Sequence, residues 1–148
     1  MDILLELMAS DASPLFRRLL DAGLINESSF GYEYFEGPGY ASVIFSGESK
    51  DPDRVAEEIR AETERLRRDG IDPEAFQRAK KALYGRNIAA LNSVDNIANS
   101  MAVFAFAGRE LYSYIDELAN AKLDSVQKRL EEALDPAYSA LSVVYPVD

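Results

Sequence analysis

The sequence predicts an α+β fold in which an antiparallel sheet is covered on one face by several helices. Three observations predict it. Apolar alternation with a period of two is confined to residues 28–45 and a short run at 139–145, whereas most of the remaining chain carries the helical period. Strands and helices come in runs, in the order α-α-β-β-α-α-α-α-α-β, instead of alternating as a parallel βαβ sheet requires. The chain has 148 residues, 47% apolar and 28% charged, which suits one soluble domain able to bury a core without staples.

Ile3, Leu4, Leu7 and Met8 form one helical stripe in a first segment, Met1 to Ala9, that has no capping residue. Ser13-Pro14 then opens a second helix, with Ser13 as N-cap and Pro14 at the first helical position, where its missing N–H costs nothing. Leu15, Phe16, Leu19 and Leu20 supply its buried stripe, and Gly23 is placed to end it in the left-handed conformation. From Ser28 onward Phe30, Tyr32 and Tyr34 alternate with Ser29, Gly31 and Glu33. That pattern reads as a strand over Phe30–Phe35, its aromatic face turned to solvent, a partner or substrate. Gly37-Pro38-Gly39 is a turn, and Tyr40 to Phe45 returns as the second strand of a hairpin.

Asp51 or Asp53 caps a helix beginning near Pro52, with Val55, Ile59 and Leu66 inward and Gly70 as its stop. Its other face, with Glu57, Glu58, Glu62, Arg65 and Arg68, reads as solvated. Asp72-Pro73 starts another helix, along which Phe76, Leu83, Leu91 and Val94 recur at helical spacing. Asp95 restarts the pattern with Ile97, Met101, Phe104 and Ala105. Leu111, Ile115 and Leu118 mark one more helix, and Val126, Leu130 and Leu134 the last. Asp135-Pro136 breaks that helix before a closing strand over Ser139–Tyr145. The expected sheet is therefore three-stranded, lying against helices that carry Val55, Phe76, Leu83, Met101 and Phe104. A bare sheet edge tends to recruit another copy, so a homo-oligomer is expected.

The composition excludes whole classes of chemistry. There is no Cys and no His, so thiolate nucleophiles, Ser-His-Asp and Cys-His arrangements and ordinary zinc sites are ruled out within this chain. A net charge of −10 opposes binding to nucleic acid and to anionic membrane surfaces. No signal peptide or membrane span is readable, which makes the cytoplasm the expected compartment. Adjacent acidic pairs such as Glu57-Glu58 and Glu131-Glu132 point about 100° apart on a helix and do not share a substrate. Gly37, Gly39 and Gly47 are turn glycines with no phosphate-binding helix behind them. Tyr112 and Tyr114 read as core and rim.

The segment Ser13-Pro14-Leu15-Phe16-Arg17-Arg18-Leu19-Leu20-Asp21-Ala22-Gly23-Leu24 carries a resemblance. So do Gly70-Ile71-Asp72-Pro73-Glu74-Ala75-Phe76 with Ala79-Lys80 behind it, and Asp135-Pro136 before the last apolar run. In this order and spacing the chain, from about Ala9 to Asp148, resembles the C-terminal half of an M16 metallopeptidase domain. That family includes insulinase, pitrilysin and the mitochondrial processing peptidase, and the bacterial insulinase-family proteins are the most similar. The resemblance implies a LuxS/MPP-like metallohydrolase half-domain. It implies units that close around an unfolded peptide, with zinc held in one unit by an inverted His-x-x-Glu-His motif. This chain lacks the motif. Either the natural protein has lost it, or the chain is a piece whose zinc-bearing half lies upstream. The uncapped start and the missing strand favour a piece, and residues 1–148 are then a single zinc-free domain.

The resemblance further implies that the zinc-free unit contributes an Arg and a Tyr to the substrate backbone. The Arg position falls on Leu20, with Arg17 and Arg18 one turn back, and the Tyr falls on Tyr32 after an insertion around Asn26-Glu27-Ser28. Tyr32, Arg17 and Arg18 are therefore the expected substrate-binding residues, with no catalytic residue and no metal ligand in the chain. Packing for Tyr32 and a solvated helix face for the arginines are the competing readings. The expected function is substrate positioning beside a zinc-bearing M16 domain or subunit, with an extended peptide as the other partner. The alternative is a protein-interaction or assembly module with no peptidase role.

Overall fold

A computed structural model describes residues 1–146. Seven α-helices and one hairpin follow one another along these residues: α1 (Asp2–Ala9), α2 (Pro14–Asp21), β1 (Gly31–Gly37), β2 (Tyr40–Ser46), α3 (Pro52–Asp69), α4 (Pro73–Ala90), α5 (Val94–Phe106), α6 (Leu111–Asn120) and α7 (Leu123–Ala133), then a single 3₁₀ turn at Pro136–Tyr138. The architecture is α+β, helical for the most part, with a two-stranded antiparallel sheet.

The capping grammar of the sequence is realised residue by residue. Ser13 Oγ accepts the Phe16 N–H at 3.1 Å, Asp51 accepts from Arg54 at 3.1 Å and Asp72 from Ala75 at 2.8 Å, each with proline just inside the helix. Gly23, at φ +65°, closes α2 with the paired bonds of a Schellman motif, Leu24 N–H to Leu19 C=O at 3.0 Å and Gly23 N–H to Leu20 C=O at 2.9 Å. One cap differs from expectation: Ser93, not Asp95, caps α5, accepting the Asn96 N–H at 3.3 Å. The hairpin pairs over its whole length, from Gly31 opposite Ser46 to Gly37 opposite Tyr40. Pro38 and Gly39 (φ +82°) occupy the two central turn positions, where a fixed negative φ followed by a positive one gives a type II turn.

The core is built around α1. Leu4 and Met8 are fully buried in one cluster with Leu15, Phe16 and Leu19 of α2, Leu66 of α3, Phe76 of α4 and Leu130 of α7. The aromatic face of the hairpin also turns to this core and not to solvent. Phe30 is buried with its ring 6.1 Å from that of Phe16, while Tyr32 and Phe45, directly opposite each other, pack half-buried beside α1. The exposed face instead carries Glu33, Phe35, Ser42 and Ile44.

Three further expectations are corrected. Residues 139–146 form no strand, and Leu141, Val144 and Tyr145 stand exposed, so the sheet has two strands among the described residues. An apolar β-branched run becomes a strand only where the chain brings it alongside an edge, and this segment pairs with neither outer edge of the hairpin. The sheet rests on α1, not on a layer carrying Val55, Phe76, Leu83, Met101 and Phe104. Val94, read as core, is 81% exposed, because α4 ends at Ala90 and the chain turns before α5 begins.

Candidate functional site

The three expected substrate-binding residues fall into two networks. Arg17 and Arg18 lie on the exposed side of α2, since Leu15, Phe16 and Leu19 take its buried stripe. Arg17 makes no ion pair among the described residues. Arg18 reaches α3, donating to Glu62 Oε2 at 2.7 Å with Glu58 at 3.7 Å. Glu62 also accepts two bonds from Arg65, at 2.7 and 3.2 Å. Its side chain is almost fully buried, so the α3 face read as solvated contains a buried, doubly paired carboxylate. Burial alone pushes the Glu62 carboxyl upward. The hydrogen bonds and charges of Arg65 and Arg18 outweigh this and hold it below the usual carboxylate range.

Tyr32 belongs to the second network. Its hydroxyl donates to Glu6 Oε2 at 2.9 Å, and the same carboxylate takes a two-pronged guanidinium from Arg86 of α4, one bond of which is 3.0 Å. Glu6 is buried in α1, so one charge binds hairpin, first helix and long fourth helix together. Burial and the Glu6 hydrogen bond push the Tyr32 hydroxyl well above the ordinary tyrosine range. It stays protonated, with its proton committed to Glu6, and cannot serve as a general base at neutral pH.

A cleft of about 330 Å³ opens between the start of α1, β1, α6 and α7. Its polar wall includes Asp2, Tyr34, Glu36, Arg109, Tyr114 and Arg129. Tyr114 donates to Asp2 at 2.6 Å and Tyr34 to Glu36 at 3.0 Å. Arg109 joins Glu36 and Glu117 while lying over the rings of Phe104 and Tyr114. Most of these polar groups are therefore neutralised by a neighbour within the wall. Beside this wall, at the exposed start of α6, the Ser113 hydroxyl donates to Glu110 Oε2 at 3.0 Å. Among the described residues no cluster of acidic side chains is grouped to hold a metal ion, and the chain has neither His nor Cys, so zinc does not fit this chain.

Sequence reasoning missed Glu6, Arg86 and Glu62. Glu6 left a signal, a carboxylate interrupting the apolar run from Ile3 to Met8 on a helix buried nearly all round, and such a charge needs a partner. Arg86 left none, because it lies 80 positions away.

The profile of the family described as "Peptidase M16 inactive domain" matches residues 1–83. The chain is 29% identical over 136 residues to YmfH of Bacillus subtilis strain 168, named an uncharacterized zinc protease; the match takes in 90% of this chain and 31% of YmfH. A structure described as an M16-like peptidase from Alicyclobacillus acidocaldarius superposes with a TM-score of 0.79 at 29% identity, covering 89% of this chain and 32% of that one. A protease from Helicobacter pylori shares the fold at a TM-score of 0.73 and 21% identity, over 88% of this chain and 33% of its own. The chain thus spans about a third of the length of each of these relatives.

Proposed function

The chain belongs to the family of peptidase M16 inactive domains, and on that premise we propose that it is the zinc-free half of a peptidase pair, holding an extended peptide against a zinc-bearing M16 unit. Residues 1–148 act in this reading as one such domain. The observation that carries it is the hairpin. Both of its outer edges lack a strand neighbour among the described residues, while Tyr32 and Phe45 clamp its inner face to α1. A rigid, open edge of this kind accepts an extended peptide as a third strand, through main-chain hydrogen bonds that impose little sequence preference.

Of the expected contact residues, Arg17 is the one with its charge uncommitted among the described residues, and it is assigned to peptide carbonyl or carboxylate groups. Arg18 and Tyr32 hold the surface in place through Glu62 and Glu6. Peptide-bond chemistry belongs to the partner unit. No described helix is long and apolar enough to cross a membrane.

The test is reconstitution. The isolated chain is expected to carry no stoichiometric zinc and to show no chelator-sensitive cleavage. Adding it to the zinc-bearing M16 unit encoded in the same genome is expected to raise cleavage of an unfolded peptide, with Arg17→Ala raising KM and leaving kcat in place. Zinc bound one-to-one by this chain, or cleavage by it alone, overturns the reading. The alternative, an assembly module with no peptide role, draws support from the exposed apolar residues of α5. Failure of extended peptides to bind while a folded partner does would decide for it.

A further inference from the structure

The Arg86 guanidinium is fixed on one side and open on the other. Two of its nitrogens donate to the buried Glu6 carboxylate, yet the side chain is 57% exposed. A guanidinium carries five N–H groups in a rigid fork. Glu6 takes one from each terminal nitrogen, and among the described residues the remaining donors find no acceptor. Because Glu6 already holds the side chain, engaging a ligand costs Arg86 little further rotamer freedom. The exposed and unpaired Arg17 still has that cost to meet.

The surroundings of Arg86 suit a polypeptide backbone. Helix α1 packs against both α4 and β1, and Arg86 and the Tyr32 hydroxyl share Glu6 Oε2. Helix α4 buries Phe76 and Ala79 in its first half, whereas no residue from 81 to 90 is buried. Gly85, next to Arg86, stands in the helix interior, where glycine costs about 1 kcal/mol relative to alanine. A Cβ there would meet nothing within 4 Å, and the same holds at Gly31, next to Tyr32 at the start of β1. A bare glycine with open space beside it lets another backbone approach closely.

We propose that Arg86 is a peptide-binding residue, whose outer N–H groups donate to main-chain carbonyls of an extended peptide paired with the outer edge of β1. The inference rests on the strand addition proposed above, and adds which edge is used and which side chain meets the peptide. The edge is that of β1, because Tyr32 ties this strand to α1 and to Arg86. Glu6 already matches the charge of Arg86, so the group recognised is the neutral carbonyl and not a carboxylate. Glu6 itself is a positioning residue, which aims the guanidinium without touching the peptide.

The test uses the full 148-residue chain and fluorescein-labelled casein peptides, with binding read by anisotropy and amide exchange by mass spectrometry. The peptides are expected to slow exchange over Gly31–Gly37 and to leave Tyr40–Ser46 unchanged. Arg86→Lys keeps a charge opposite Glu6 but loses the fork. It is expected to weaken binding about fivefold or more, while hairpin exchange without peptide stays within about twofold of wild type. Gly85→Leu leaves Arg86 in place and fills the open space beside it, and is expected to weaken binding to a similar degree. Arg78→Lys, exposed on the same helix, is expected to bind as the wild type does. Wild-type affinity in both Arg86→Lys and Gly85→Leu, or peptide protection confined to β2, would overturn the assignment and leave strand addition standing. A loss of affinity matched by an equal loosening of the free hairpin would also overturn it, reducing Arg86 to a structural tie. Absence of any wild-type binding would overturn both.

Discussion

Helices α1 and α5 are both predominantly apolar, with Asp2 and Glu6 the charged residues of one and Asp95 of the other. In α1, Ile3, Leu4, Leu5, Glu6, Met8 and Ala9 are buried, whereas α5 buries nothing. The difference lies in the neighbours. Helix α1 is surrounded by α2, α4, α7 and the hairpin, and α5 has α6 for its main contact. Apolar content states that a helix must be covered; it does not say by what. For α1 the cover is the same chain, whereas α5 is left largely uncovered among the described residues.

The sharpest way to break this comparison is truncation of one large side chain in each region. Leu4→Ala, at a fully buried position, is expected to cost about 2–5 kcal/mol, through lost burial and the cavity left behind. Phe106→Ala, at a position 94% exposed, is expected to fall within about 0.5 kcal/mol. Urea unfolding followed by far-UV circular dichroism measures both, and similar losses at the two sites would refute the contrast.

A smaller effect comes from the ion pairs that tie α2 to α3. The Glu62 carboxyl is held below its ordinary value of 4.5, so the unfolded chain binds the proton more readily. Its stabilising contribution is present above that value and declines as pH falls through the lower folded one. Glu62→Gln is expected to flatten this acid limb and to cost on the order of 1 kcal/mol near neutrality, with allowance for screening of the half-exposed arginines. Unfolding free energies measured from pH 7 downward would show an unaltered slope if the pairing had no energetic consequence.

The smallest pair of effects concerns caps. Ser13→Ala removes a buried cap bond at the entrance to α2 and is expected to cost about 1 kcal/mol. Ser93→Ala removes a longer, exposed one on α5 and is expected to cost about 0.5 kcal/mol or less. Thermal unfolding of the two variants orders them, and the reverse order would mean that α5 is integral to the fold's stability.

Much of the fold is legible in the sequence because its signals are local. Ser13-Pro14, Asp51-Pro52 and Asp72-Pro73 each cap a helix through a side chain three residues from the N–H it satisfies, and Gly23 and Gly39 supply positive φ where turns require it. The run 139–145 misled because strand propensity describes a surface that could be paired, while pairing itself depends on a distant edge. The candidate site was read only in part. Tyr32, Arg17 and Arg18 are expectations of the sequence, but the groups that fix Tyr32 and Arg18 are not legible there, since Glu6 meets Tyr32 across 26 positions, Arg86 meets Glu6 across 80 and Glu62 meets Arg18 across 44.

The sequence by itself determined the α+β class, most helix starts and stops, and the exclusion of zinc, thiol and imidazole chemistry from this chain, because capping, turn geometry and ligand type are properties of residues and their near neighbours. Only the tertiary structure decided which face of the hairpin is covered, that Glu62 is buried between Arg18 and Arg65, and that α5 stands uncovered. Burial is a relation between surfaces that the chain brings together, and an amphipathic pattern gives the direction a side chain faces without supplying what it meets.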